Sequence, residues 1–420
     1  MVIIMEYNEV NNYIQSLRGR GIVLGLDDMK KLLKKLNNPE SKLNIVHIAG
    51  TNGKGSVGAY ISSVLQCSQK KVARFVSPCV GEYENTFLIN SKPVAHDVIG
   101  RCADVVKKAI DELECEGVYP TSFLAETALS LVIFRELMPD YAIIECGMGG
   151  KDDATNAIDD ITLSVITKIS LDHTRFLGST IREIATAKAG IILENTPVVS
   201  AIQQNDAEDV IKCVCDKLSA PLYIADNPKI QEMTDTYTSF FVNSDIFTTK
   251  MLGVYQPQNA SLAICASRVL GICDVAIKRG IYNAQWGFRF ERTGMYILDG
   301  AHNPDGADML AKSLSVYTSP RDTAFVCACF KDKDYQKIAR ITSMYADCVY
   351  CVKAPTERGL DADILRQAFS DCGVMAYASP TLEDALKSAS AYKNVVVFGT
   401  LSILSEAKDI IERFNNNAAL

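Results

Sequence analysis

Residues Asn44–Ser56 read NIVHIAGTNGKGS. The run from Ile45 to Ala49 is apolar enough for a strand buried in a parallel sheet. Gly50-Thr51-Asn52-Gly53-Lys54-Gly55-Ser56 follows, and after it Val57, Tyr60, Ile61, Val64 and Leu65 recur at helical spacing. Strand, glycine loop and amphipathic helix make a phosphate-binding unit. Glycines let backbone N–H groups approach a polyphosphate, and the helix N-terminus adds its partial positive charge. In such a unit Gly50 to Ser56 cradle the phosphates, Lys54 reaches the β/γ-phosphates and a Ser/Thr hydroxyl ligates Mg²⁺. The loop departs from the usual G-x-x-x-x-G-K-[ST]: Ile48 stands at the first glycine position, and Gly55 separates Lys54 from Ser56. A glycine turn that binds nothing is the alternative, and the flanking strand and helix weigh against it.

The 420 residues are enough for two or more domains, and 48% hydrophobic with 22% charged residues is a soluble globular composition. A formal net charge of −7 argues against a general nucleic-acid binder, so any phosphate site must be locally basic. The N-terminal MVIIMEYNEV lacks the basic region and apolar run of a signal peptide, and no stretch has transmembrane length. Fourteen cysteines, many in apolar runs, fit reduced buried thiols in a cytoplasmic protein better than a disulfide scaffold. Cys348-Val-Tyr-Cys351 lies in a strand-like run without a second ligand pair, which makes zinc there a weak reading.

Two helices are expected within residues 6–37, then the phosphate loop, then a strand at Lys71–Val76. Cys79–Pro93 has no clear period and reads as a loop. Helices are expected at Val98–Leu113 and Thr121–Leu137. Tyr141–Cys146 is an apolar strand carrying one carboxylate, Glu145, before Gly147-Met148-Gly149-Gly150. Ligands of α/β sheets gather at such strand ends, where a carboxylate suits Mg²⁺, although it could instead cap the turn. Ile161–Thr167 is a further strand, and His173, one of four histidines, lies just past its end. A structural and a functional role are both open for it. Thr180-x-x-Glu183 is a capping box opening a helix that carries Lys188; by position alone Lys188 is an ordinary helix-end lysine. Thr196–Ile202 is another strand, and Leu222–Thr249 reads as an antiparallel hairpin region. Gln256 and Asn259 stand near a helix start, suited to a base edge or to capping. Beyond Glu291–Gly294 the α/β alternation restarts, and Met295–Leu298 ends in Asp299-Gly300-Ala301-His302-Asn303-Pro304. The expected fold class is α/β: a mostly parallel, P-loop NTPase-like sheet domain over residues 1–292, then a smaller Rossmann-like α/β domain over 293–420.

Several stretches together resemble the Mur-ligase superfamily, and within it the folylpolyglutamate synthase/dihydrofolate synthase family. HIAGTNGKGS resembles that family's phosphate loop, IIECGMGGKDDATN its E-x-G-x-G-G-R-x-D-A-T-N, ITKISLDHTRFLGSTIREIATAKAGII its D-H…K-A-G-I segment, and DGAHNP its second-domain signature. The resemblance implies that Ser56, Glu145 and His173 are Mg²⁺ ligands, and that Lys188 is carbamylated and binds a second Mg²⁺. It further implies that Gln256 and Asn259 face adenine, that Arg289 contacts ATP phosphates, and that Asp299, near the ribose, and His302 close the site. The chain departs from the family at Lys151, usually Arg, at Tyr255, usually His, and in Cys79–Ser91 and Phe123–Glu126, regions the family uses near its pterin substrate.

What the resemblance implies is an ATP-dependent amide ligase. Lys54, Lys188, His173 and Arg289 would be catalytic. The γ-phosphoryl would pass to a folate or dihydropteroate carboxylate, and L-glutamate would displace phosphate from the acyl phosphate. Neither nucleic acid nor membrane is expected as a partner, and the chain is expected as a monomer. The alternatives are a Mur-superfamily ligase with a different acid acceptor and a non-catalytic nucleotide-binding protein.

Overall fold

The computed structural model describes residues 5–79 and 81–418; Met1–Ile4 of the N-terminal reading and Val80 of the altered segment lie outside them. Eight strands form the first sheet: Ile45–Ala49 (β1), Val72–Phe75 (β2), Phe87–Ile89 (β3), Lys92–Pro93 (β4), Tyr141–Glu145 (β5), Leu163–Ile166 (β6), Val198–Ser200 (β7) and Leu222–Ile224 (β8). Their order is β4-β3-β2-β5-β1-β6-β7-β8. β1 is buried at all five positions because it pairs in parallel with β5 on one side and β6 on the other. That central place is what an apolar run broken only by His47 requires.

Helices cover both faces of this sheet. Tyr7–Leu17 (α1), Asp27–Lys35 (α2), His96–Cys115 (α4) and Ser122–Leu137 (α5) pack a cluster around Leu32, Phe75, Ile110, Phe134 and Ile144. Ile181–Ala189 (α7) and Asn205–Lys217 (α8) continue that same face around Ile166, Ile184 and Ile211, while the helix after the phosphate loop covers the opposite face against Arg74 and Glu145. Lys54–Cys67 (α3) follows the phosphate loop, and Thr174–Leu177 (α6) is a single turn.

Within Cys79–Pro93, residues 81–93 are more ordered than the lack of period predicts. A 3-10 turn at Tyr83–Thr86 leads into β3 and β4, an antiparallel hairpin on the sheet edge with Leu88 opposite Pro93 and Ile89 opposite Lys92. Asn90 and Ser91 turn it with φ of 48° and 63°. Both central residues of such a turn take positive φ, usually with glycine, and no glycine marks this one. A second departure lies at Leu222, where β8 adds in parallel to β7 instead of joining a hairpin. Only Lys229–Met233 (β9), Thr238–Val242 (β10) and Asp245–Thr249 (β11) form a separate three-stranded sheet.

Gln256–Val269 (α9) and Asp274–Asn283 (α10) precede a six-stranded sheet of Glu291–Thr293 (β12), Tyr296–Leu298 (β13), Thr323–Cys327 (β14), Cys348–Cys351 (β15), Met375–Ala378 (β16) and Asn394–Phe398 (β17). Its order is β12-β13-β17-β14-β15-β16; β12 is antiparallel to β13 and the other pairings are parallel. Pro304–Tyr317 (α11), Tyr335–Thr342 (α12), Ala362–Ser370 (α13), Leu382–Ala389 (α14) and Leu404–Ala418 (α15) cover it. The α/β class and the two largely parallel sheets agree with the expectation.

The chain divides into two units. The first comprises Met1–Lys229, Phe241–Phe247 and Gln258–Ala284, and the second Ile230–Phe240, Thr248–Pro257 and Gln285–Leu420. All fourteen cysteines are free thiols. No helix among the described residues is long and apolar enough to cross a membrane.

Candidate active site

The loop between β1 and α3 is held from below by the strand-end segment after β6. The backbone N–H of Thr51 donates to Lys168 O at 2.9 Å, and the Thr51 hydroxyl donates to Ser170 O at 2.9 Å. The Thr167 hydroxyl donates to Asn52 O at 2.7 Å. Gln203 ties that segment in turn, donating to Thr167 O at 3.0 Å and accepting from Ile169 N–H at 3.0 Å. The loop geometry is thus built from two strand ends. Gly53 caps α3 with φ of 93°, and a Cβ there would lie 2.6 Å from Asn259 Oδ1. Glycine is required for both reasons. The first amides of α3 therefore point out of the loop end, as an anion site needs.

Lys54 opens α3, and its Nζ donates to Gly50 O at 3.0 Å. Lys188, near the end of α7, donates to the same carbonyl at 2.9 Å. Lys188 is 4% exposed. Burial, and next the charge of Lys54, hold its ammonium down to about 7. The capping box that starts α7 is present: Thr180 Oγ1 accepts from Glu183 N–H at 3.2 Å, and Glu183 accepts from Thr180 N–H at 3.0 Å.

Glu145 ends β5 in register with Ile48. Its Oε1 lies 3.1 Å from Nη2 of Arg74, and both side chains are buried. The turn after Glu145 is bolted to the helix that carries Lys188. Lys151 N–H donates to Ala187 O at 2.7 Å, and a Cβ on Gly150 would lie 2.8 Å from the carbonyl oxygens of Ala187 and Lys188. Asp153 accepts from Met148 N–H at 2.8 Å and from Thr155 Oγ1 at 2.6 Å. His47 of β1 joins beneath, with Nε2 2.8 Å from Thr155 Oγ1 and 3.1 Å from Cys146 Sγ. Phosphate loop, Glu145 and Lys188 thus share one rigid support.

Two family models match in chain order: the Mur ligase middle domain over residues 48–267, and the Mur ligase glutamate ligase domain over 288–401. A dihydrofolate synthase/folylpolyglutamate synthase of Bacillus subtilis is 30% identical over 425 residues, spanning 96% of this chain and 98% of that protein. The chain belongs to the folylpolyglutamate synthase/dihydrofolate synthase family of Mur ligases. A Thermotoga maritima folylpolyglutamate synthase superposes with a TM-score of 0.84 at 28% identity, covering 97% of this chain and 96% of that one. The Mycobacterium tuberculosis folylpolyglutamate synthase complexed with ADP and AMPPCP has the same fold, with a TM-score of 0.88 at 23% identity over 97% of this chain and 99% of that one.

The magnesium set implied by the family can be tested against the donors. Ser56 supplies a fully buried side chain in the first turn of α3, and Glu145 a carboxylate 3% exposed. Hard oxygen donors of this kind fit a hard cation. His173 is different: it is exposed, has φ of 50°, caps α6, and lies 4.0 Å from Asp172. Among the described residues no three His, Cys, Asp or Glu side chains converge as a metal set. The fit therefore rests on Ser56 and Glu145.

Of the other expected residues, Asn259 lies over Gly53 within the first unit. Gln256, at the start of α9, Arg289, Asp299 and His302 belong to the second unit and are described within it. Asp299 is 3% exposed and accepts from Tyr255 Oη, Phe290 N–H and Ala301 N–H, each at 2.8 Å. Arg289 donates to Phe288 O at 2.9 Å, and His302 Nδ1 lies 2.8 Å from Gly300 O. The two altered segments come together in the first unit. Glu126 has its carboxyl pushed up to about 7 by burial, against the pull of Arg18, and its charge reaches both Cys79 and Tyr83.

Three relations were missed from sequence: Arg74 with Glu145, His47 with Thr155 and Cys146, and Tyr255 with Asp299. The first two carried a signal, since Arg74 and His47 are polar residues inside otherwise apolar strands.

Proposed function

We propose that this chain is an ATP-dependent ligase that adds L-glutamate to the carboxylate of a folate or of dihydropteroate. The observation that carries the reading is the convergence of Lys54 and Lys188 on Gly50 O beside a glycine-capped helix. Gly50 to Ser56 bind the β/γ-phosphates through backbone amides, and Lys54 neutralises charge on the transferring phosphoryl, the main task in such chemistry. The acceptor carboxylate attacks the γ-phosphorus, ADP leaves, and an acyl phosphate forms. The glutamate amine then attacks the acyl carbon, phosphate leaves, and the amine proton passes to solvent.

Lys188 acts as an anion in this reading. Its neutral amine adds to CO₂ and loses a proton, giving a carbamate. Ser56 and Glu145 would hold one Mg²⁺, with His173 as a further ligand on the family resemblance alone, and the Lys188 carbamate a second, supplying positive charge to the phosphates. The roles of Gln256, Asn259, Arg289, Asp299 and His302 toward the nucleotide rest on the family resemblance. We also infer a cytoplasmic monomer with the catalytic domain over residues 1–292 and the C-terminal domain over 293–420.

The test is ADP release by purified protein with dihydropteroate, tetrahydrofolate or a one-carbon-substituted folate, each with and without glutamate. Turnover that needs both acid and glutamate is expected. Nucleotide binding without turnover on any of the three acceptors would overturn the reading.

A further inference from the structure

Arg74 sits on β2, next to β5 in the sheet. It is 2% exposed, an unusual place for a guanidinium. Its Nη2 makes two contacts at once: 3.1 Å to Glu145 Oε1 and 3.0 Å to the backbone carbonyl of Gly55 in the first turn of α3. The pair packs directly against that helix. A Cβ at Gly58 would lie 3.1 Å from Arg74 Nη2 and 3.3 Å from Glu145 Oε1. One buried cation therefore bridges the proposed metal carboxylate and the phosphate-binding helix.

We propose that Arg74 is a resident cation that shares Glu145 with the divalent ion and keeps the metal site weak until nucleotide phosphates arrive. This rests on Glu145 being a metal ligand. A buried carboxylate needs a positive partner, and Arg74 supplies one that is always charged. A divalent ion approaching Glu145 alone meets a carboxylate already neutralised and a guanidinium that repels it. Nucleotide phosphates bound at the start of α3 bring the negative charge that tips the balance. The metal thus enters with the nucleotide, while the apo site keeps its shape. The hydrogen bond to Gly55 holds the same guanidinium to the backbone that the phosphates engage.

The test is Mn²⁺ binding to the full chain, read by electron paramagnetic resonance with and without a non-hydrolysable ATP analogue. Wild type is expected to bind Mn²⁺ weakly alone and much more tightly with the analogue. Arg74→Gln keeps a donor but removes the charge, and should bind Mn²⁺ alone at least about tenfold more tightly. Arg74→Lys keeps the charge and should stay near wild type. Thermal melts of the Gln variant with and without Mn²⁺ guard against poor folding: a midpoint, or folding itself, restored by Mn²⁺ supports the proposal. Unchanged or weaker Mn²⁺ affinity in Arg74→Gln, or instability that Mn²⁺ does not relieve, would overturn it. Glu145→Gln separates the two claims. If it leaves Mn²⁺ binding intact, the metal assignment of Glu145 fails; if it abolishes binding while Arg74→Gln changes nothing, only the role of Arg74 fails.

Discussion

Lys54 and Lys188 donate to one acceptor, the carbonyl of Gly50, at 3.0 and 2.9 Å. Burial, and next the positive charge of Lys54, disfavour the Lys188 ammonium. Lys188, at about 7, is substantially neutral at physiological pH, as addition to CO₂ requires. Lys188→Arg keeps positive charge but has no accessible neutral form. It is expected to lower kcat by about 10²–10³-fold, the cost of losing one preorganised charged group, while ATP-analogue affinity changes little. The acid side follows: the protonated amine cannot add CO₂, so activity of CO₂-depleted enzyme restored by bicarbonate should fall as pH drops below about 7. Full activity of the Arg variant would remove the carbamate from the mechanism.

Gly53 is where the loop geometry can be broken most locally. A side chain there meets strain at φ 93° and the Asn259 amide at 2.6 Å. Left-handed backbone alone costs about 1–2 kcal/mol for a residue other than glycine, so Gly53→Ala should weaken ATP binding about tenfold or more. Gly117 has φ of 81° with open space around it. Gly117→Ala bears the same backbone cost without the contact, and should lower stability while leaving calorimetric ATP affinity unchanged.

The centre of the first sheet is readable because β1, β5 and β6 are mostly apolar runs, each long enough to be a buried strand and followed by turn residues. The hairpin of β3 and β4 is not, since Asn90-Ser91 takes positive φ at both positions without the glycine that announces such a turn. In the site, the phosphate loop is local chemistry and is legible. Lys188 is not, because the carbonyl its amine donates to, that of Gly50, lies 138 residues away in the chain. Arg74 stands out in its strand as a lone charge, yet its partner Glu145 is 71 residues on and becomes a neighbour only through the strand order.

His47 gives a stability prediction with a definite sign. Burial lowers its imidazole from 6.5 to about 4. Above pH 6.5 the ring is neutral folded and unfolded, and no stability depends on its proton. Between 6.5 and 4 the unfolded chain takes up a proton that the folded chain refuses, so stability falls as pH falls. The loss should reach about 3 kcal/mol near pH 4, at 1.36 kcal/mol per unit. Urea unfolding of wild type and His47→Gln over this range isolates the effect. The variant should show the shallower slope, by up to one proton, and equal slopes would place the buried charge elsewhere.

Tyr255 and Asp299 test the second unit in the same way. The Asp299 carboxylate is buried, and burial raises its protonation range while Arg289, Tyr255 and two backbone amides pull it back. Tyr255→Phe removes the hydroxyl that donates at 2.8 Å and leaves Phe290 N–H and Ala301 N–H on the carboxylate. An under-satisfied buried acceptor costs about 1–3 kcal/mol. Trp286, the single tryptophan of the chain, lies in the same unit, so its fluorescence follows that unit's unfolding. A lower urea midpoint at unchanged slope is the expected result, because the change alters stability and not the surface exposed on unfolding. An unchanged midpoint would mean that the backbone amides alone satisfy Asp299, and that Tyr255 is held for another reason.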